Sequence, residues 1–121
     1  MSTSIFYTTF FESVSITAET GDASADVVYA VPAQHDTEVE FLLATNGGST
    51  QKISIQIYHA DDTTYHYVLR SHSVAGNDSY KLVGPDRIYL HAGDKVVAFK
   101  EGGTFDVSIS GKQFFNPSRG V

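Results

Sequence analysis

The chain contains no cysteine, so any chemistry must come from histidine, carboxylate, hydroxyl and tyrosine groups. They are densest in His59-Ala60-Asp61-Asp62-Thr63-Thr64-Tyr65-His66. Read as a hairpin whose loop is centred between Asp62 and Thr63, this stretch sets His59 opposite His66 and Ile57 opposite Val68. Two neighbouring imidazoles begin a zinc or manganese site if Asp61, Asp62 or His72 adds a third ligand. A cross-strand pair supplies only two ligands. His59 and His66 are therefore weak metal candidates, expected as rim histidines on a solvated hairpin tip, with the aspartates forming the turn. No metal or other cofactor is expected.

The remaining polar groups do not converge. Serine and histidine adjacent in Ser71-His72-Ser73 point apart, which does not suit a hydrolase triad. Glu38 and Glu40 lie two apart and share a strand face, with Val39 and Phe41 expected in the core between them. Glycosidase carboxylates must instead flank a substrate from separate elements. His91, just before Gly93-Asp94, reads as a loop residue. A nucleophile elbow, a phosphate-binding glycine loop, a His-Glu-x-x-His helix and a calcium loop are all missing from the sequence. The chain is expected not to be an enzyme. Tyr58, Tyr65 and Tyr67 share one face of the hairpin, with Tyr58 opposite Tyr67. Such an aromatic strip suits either a glycan or a subunit interface.

These residues must be positioned by strands, because the dominant pattern is alternation with period two. It is cleanest in Lys52 to Tyr58, where Ile53, Ile55 and Ile57 face one way and Ser54 and Gln56 face solvent. Similar runs are Val14 to Ala18, Asp26 to Val31, Glu38 to Ala44, Tyr65 to Arg70, Ser79 to Val83, Arg87 to Leu90, Lys95 to Phe99 and Phe105 to Gly111. Turn signals separate them, among them Asn46-Gly47-Gly48, Gly76-Asn77-Asp78, Gly84-Pro85-Asp86 and Gly102-Gly103. Strands spaced this way predict an all-β fold, a single antiparallel β-sandwich of jelly-roll-like type. A length of 121 residues fits one domain, and 41% hydrophobic against 18% charged residues is enough apolar content for a core.

The ends differ from the middle. Phe6, Tyr7, Phe10 and Phe11 precede the first convincing run, and Phe114 and Phe115 follow the last. Residues 1–13 are expected as an aromatic N-terminal arm, 14–111 as the sandwich and 112–121 as a C-terminal tail. Either both segments pack on their own sandwich as edge strands, or these six rings are partner-binding residues laid into a neighbouring subunit's groove or sheet edge. On the second reading, deleting residues 1–11 leaves the domain folded. Eight basic against fourteen acidic residues give a formal charge of −6, the wrong sign for nucleic acid. The first residues lack a basic segment and a sustained apolar run, so neither a signal peptide nor a membrane span is expected.

Asp26-Val27-Val28-Tyr29-Ala30-Val31-Pro32-Ala33, Leu43-Ala44-Thr45-Asn46, Gly84-Pro85-Asp86-Arg87-Ile88-Tyr89-Leu90 and Ala92-Gly93-Asp94-Lys95-Val96 occur in that order. Together with the closing Val107-Ser108-Ile109-Ser110-Gly111, this order resembles a group of small all-β bacteriophage virion proteins over about residues 26–111. The resemblance implies a noncatalytic virion component. Its expected role is capsid decoration or cement, or alternatively a neck, tail or fibre adaptor, or a receptor- or glycan-binding module using the tyrosine face. Its partners are expected to be capsid or other virion proteins, and further copies of itself within the assembly. The expected location is the virion, after synthesis in the host cytoplasm.

Overall fold

The computed structural model describes residues 7–82 and 88–117. Phe6, the Gly84-Pro85-Asp86 turn with Val83 and Arg87 beside it, and residues 118–121 of the expected tail lie outside the described residues. The strands are β1 (Tyr7–Ile16), β2 (Asp26–Ala30), β3 (His35–Asn46), β4 (Gln51–His59), β5 (Thr64–Val74), β6 (Ser79–Lys81), β7 (Ile88–His91), β8 (Lys95–Lys100) and β9 (Phe105–Phe115). A short 3₁₀ turn forms at Asp22–Ser24.

Two antiparallel sheets pack face to face, which is the expected all-β sandwich. One has the order β1-β9-β3-β6, with β7 also pairing with β3, and the other has the order β2-β8-β4-β5. The pairing is nested: β1 with β9, β2 with β8, β3 with β6 and β7, and β4 with β5. Alternation fills the space between the sheets. Phe105, Val107 and Ile109 of β9 and Ile53, Ile55 and Ile57 of β4 are buried, joined by Leu42, Val96 and Ala98. Burying these side chains drives the sheets together, at roughly 1.5–3 kcal/mol each.

Three local expectations are corrected. The first concerns the arm: Tyr7 to Ser13 already pair with Phe114 to Ser108, so residues 7–13 and 112–115 belong to the sheet. Phe10 faces inward and stacks on Tyr29, ring centroids 4.3 Å apart, rather than standing free. The exposed Glu12 shares the strand parity of Phe10 and Val14, and this one charge breaks the apolar alternation that would have extended the strand. The second concerns Ser54 and Gln56, which are both buried because chain and neighbouring backbone cover them. The Asp22 amide donates to Gln56 Oε1 at 2.8 Å, Gln56 Nε2 donates to Asp22 Oδ1 at 2.9 Å, and the Ser71 amide donates to Ser54 Oγ at 2.8 Å.

The third lies in β3. Val39 pairs with Gly111 but Phe41 pairs with Ser110, so Glu40 is the extra residue of a bulge. The bulge turns Phe41 to the outer face, and Leu42 resumes the core. Gly111 permits this because a Cβ there would lie 2.0 Å from the Glu38 carbonyl oxygen.

Candidate functional site

The histidine hairpin turns one residue earlier than expected from its sequence, which moves each cross-strand partner by two. Residues 60–63 form the loop, so Tyr58 pairs with Tyr65, His59 with Thr64 and Ile57 with His66. Thr63 takes positive φ (54°), and Asp62 holds the turn by accepting from the Thr64 hydroxyl at 2.5 Å and the Thr64 amide at 3.3 Å. The Thr64 hydroxyl is the main reason that the Asp62 carboxyl lies below the usual carboxylate range, with His59 and His66 adding smaller contributions. That proton is committed to Asp62, so His66 Nε2 donates to Thr64 Oγ1 at 2.8 Å.

The two imidazoles remain neighbours on the diagonal, ring centroids 5.2 Å apart. Among the described residues no three histidine or carboxylate groups are placed to hold a metal ion. His72 sits at the far end of β5 with its ring 4.1 Å from Tyr80, too distant to act as the third ligand. Asp94 is a contributor the sequence hid. It is buried, accepts from the Ala60 amide and the His91 amide at 2.9 Å each, and lies 3.9 Å from His59 Nδ1. It pins the hairpin tip to the β7–β8 turn. Read as a turn former, Gly93-Asp94 gives no sign of this.

Tyr58, Tyr65 and Tyr67 do share the outer face of their sheet, but Tyr67 lies opposite Gln56 and not Tyr58. Tyr58 and Tyr65 contact at 4.8 Å, and the Lys95 ammonium sits 5.4 Å from the Tyr58 ring. Arg70 lies 4.6 Å over Tyr67, whose other neighbour is Phe99 at 6.3 Å. A cation thus lies over one face of Tyr58 and of Tyr67, where it competes with a sugar for that face.

The outer face of the other sheet divides into two halves. Toward the ends of β4's partner layer, Ser13 and Ser108 meet at 3.1 Å, Ser15 donates to Asp106 at 2.7 Å, and Thr45 meets Ser79 at 3.2 Å. The other half is aromatic. Its rows, read across the paired strands, are Tyr7, Phe114, Asp36 and His91, then Thr9, Lys112, Glu38 and Tyr89, then Phe11, Ser110 and Phe41. Phe11 is 63% exposed and Phe115, at the strand end beside His35, is 57% exposed. Tyr7 contacts Phe114 at 5.7 Å, and Lys112 bridges the Tyr7 ring at 5.0 Å and Glu40 at 3.4 Å.

Glu38 is not the solvated carboxylate expected: it is buried and accepts from the Tyr89 hydroxyl at 3.2 Å. Asp36 accepts from His91 Nδ1 at 3.1 Å and from Asn116 Nδ2 at 2.9 Å. Among the described residues, no serine hydrogen-bonds to either pair. Ser71 and His72 diverge as expected, with Ser71 turned to Ser54 and His72 to Tyr80.

No family model and no curated protein sequence matches this chain. A solved chain from Bacillus endospore appendages, described as forming a novel family of disulfide-linked pili, is similar with a TM-score of 0.55. The match spans 93% of this chain and 91% of that one at 17% identity. A chain from infectious bursal disease virus, Gx strain, is similar with a TM-score of 0.49 at 9% identity, over 91% of this chain and 33% of that one. The first likeness is one of fold: this chain is a two-sheet β-sandwich of the kind found in that appendage subunit.

Proposed function

We propose that the chain is a noncatalytic structural subunit that sticks to other subunits of a repeating particle, in its specific form a bacteriophage capsid decoration or cement protein. We read the nested strand pairing as a jelly roll, an architecture that serves viral capsid domains, and this is an argument by analogy of fold. The observation that carries the proposal is the row of uncovered rings along β1 and the end of β9. Tyr7 and Phe11 are substantially exposed on β1, which forms one edge of its sheet, and Phe115 is exposed at the end of the neighbouring β9. An edge strand offers unpaired backbone groups, and rings beside it add apolar contact, which together suit docking against another sheet. The −6 charge keeps unassembled copies apart in solution.

The likeness to a pilus subunit favours a second reading, self-association into a filament. Any such filament would be held without disulfides, because the chain has no cysteine. Electron microscopy of the purified chain, alone and mixed with intact phage particles, separates the two. Binding to particles, with solitary copies when alone, supports decoration. Fibres from the pure chain support the filament. A chain that joins neither would overturn the structural proposal.

A further inference from the structure

The geometry points to a saccharide-binding cleft on the outer face of the β7-β3-β9 strands, a site separate from the tyrosine hairpin face. A cleft of about 250 Å³ is lined by Asp36, Thr37, Glu38, Tyr89, Leu90, His91 and Phe114. That is slightly below the roughly 300 Å³ at which pockets begin to accept drug-sized ligands, a scale suited to one ring. One wall is Tyr89, which is 66% exposed, and the opposite wall is Phe114 with Tyr7 behind it. Among the described residues, a cation lies over the Tyr58 and Tyr67 rings and none over Tyr89. Its face is suited to stacking against the apolar C–H side of a pyranose.

The polar groups are oriented by neighbouring carboxylates. The Tyr89 hydroxyl donates its proton to Glu38 Oε2, leaving the phenol oxygen's lone pairs toward other donors. An ionised carboxylate only accepts, so in the His91–Asp36 contact Nδ1 carries a proton toward Asp36, which leaves Nε2 for another partner. Asn116 fixes Asp36 from the other side. An oriented phenol oxygen and an oriented imidazole beside an aromatic wall match the hydroxyl groups of a neutral sugar, which both donate and accept. This site goes beyond the assembly reading and does not depend on it, because the isolated chain would bind the sugar whether or not it joins a particle.

The test is to titrate the 15N-labelled full chain with glucose, galactose, mannose and N-acetylglucosamine, and separately with methylammonium chloride, following the amide resonances. At least one sugar is expected to shift the Asp36, Glu38, Tyr89 and His91 amides saturably in the millimolar range. Tyr89→Ala should abolish these shifts, and Tyr89→Phe, which keeps the ring but loses the acceptor, should weaken binding about tenfold. If Tyr89→Ala does not give a dispersed spectrum, Tyr89→Phe decides. The inference is overturned if no sugar shifts these amides saturably, if the shifts survive both substitutions, or if methylammonium alone occupies the cleft.

Discussion

Phe10 and Phe11 are adjacent in sequence but face opposite ways, and replacing each with alanine separates stability from assembly. Phe10 stacks on Tyr29 with rings 4.3 Å apart and nearly parallel at 11°. The Tyr29 hydroxyl it covers meets Thr37 Oγ1 at 2.8 Å and accepts from Gln113 Nε2 at 2.7 Å, so three strands meet beneath this ring. A fully buried Phe→Ala change costs about 3–5 kcal/mol, and Phe10 is only half-buried, so Phe10→Ala should cost about 2 kcal/mol. With a urea slope of about 1.5 kcal/mol/M, that lowers the unfolding midpoint by about 1.3 M. Phe11 touches solvent over most of its surface, so Phe11→Ala should change stability by less than about 0.5 kcal/mol while weakening particle binding. Equal midpoint shifts in the two variants would show that Phe10 does not pack inward as described. The same logic reverses the earlier expectation for truncation. Removing residues 1–11 strips the Tyr7-to-Phe11 pairings and uncovers Tyr29, so this deletion should destabilise the domain.

Gly111→Ala would force a Cβ against the Glu38 carbonyl and the β3 bulge, at a cost of about 3 kcal/mol. That should lower Tm by about 12 °C, and a change within about 2 °C would contradict the close approach. Asn46 is buried; its Nδ2 donates to the Ser49 and Val74 carbonyls at 2.8 and 2.9 Å, and its Oδ1 accepts from the Gly48 amide at 2.9 Å. Asn46→Asp keeps the shape but cannot donate, so about 3 kcal/mol should be lost at neutral pH, with accelerated hydrogen exchange across the Asn46–Val74 contact. The Asp26 carboxyl lies below its ordinary range chiefly because the Ala18 amide donates to it, with the Thr17 amide second. Its depressed folded value makes the stabilisation present above the ordinary carboxylate range and lost as pH falls through the folded value. Urea midpoints of wild type and Asp26→Asn should therefore differ at pH 6 and converge in acid, and a pH-independent gap would refute the linkage.

The sequence by itself determined the class of fold and the location of most strands. Ile53, Ile55 and Ile57, and likewise Phe105, Val107 and Ile109, alternate so regularly that no helix could bury them together, and every run named from alternation overlaps one of the observed strands. Neighbours in the fold decided the rest. Glu12 concealed the start of β1, because the partner that keeps this strand in register is β9, at the opposite end of the chain. Ser54 and Gln56 look solvated until Ser71 and the Asp22 turn cover them, and Phe41 looks like core until the bulge facing Gly111 turns it outward. The Asp36–His91 and Glu38–Tyr89 pairs exist only because β7 lies against β3, across a separation in sequence that no spacing rule spans. Alternation is a local property written into consecutive residues. Which strand lies alongside, which loop covers a face and where a bulge shifts the register depend on contacts between distant segments, and only the folded chain brings those together.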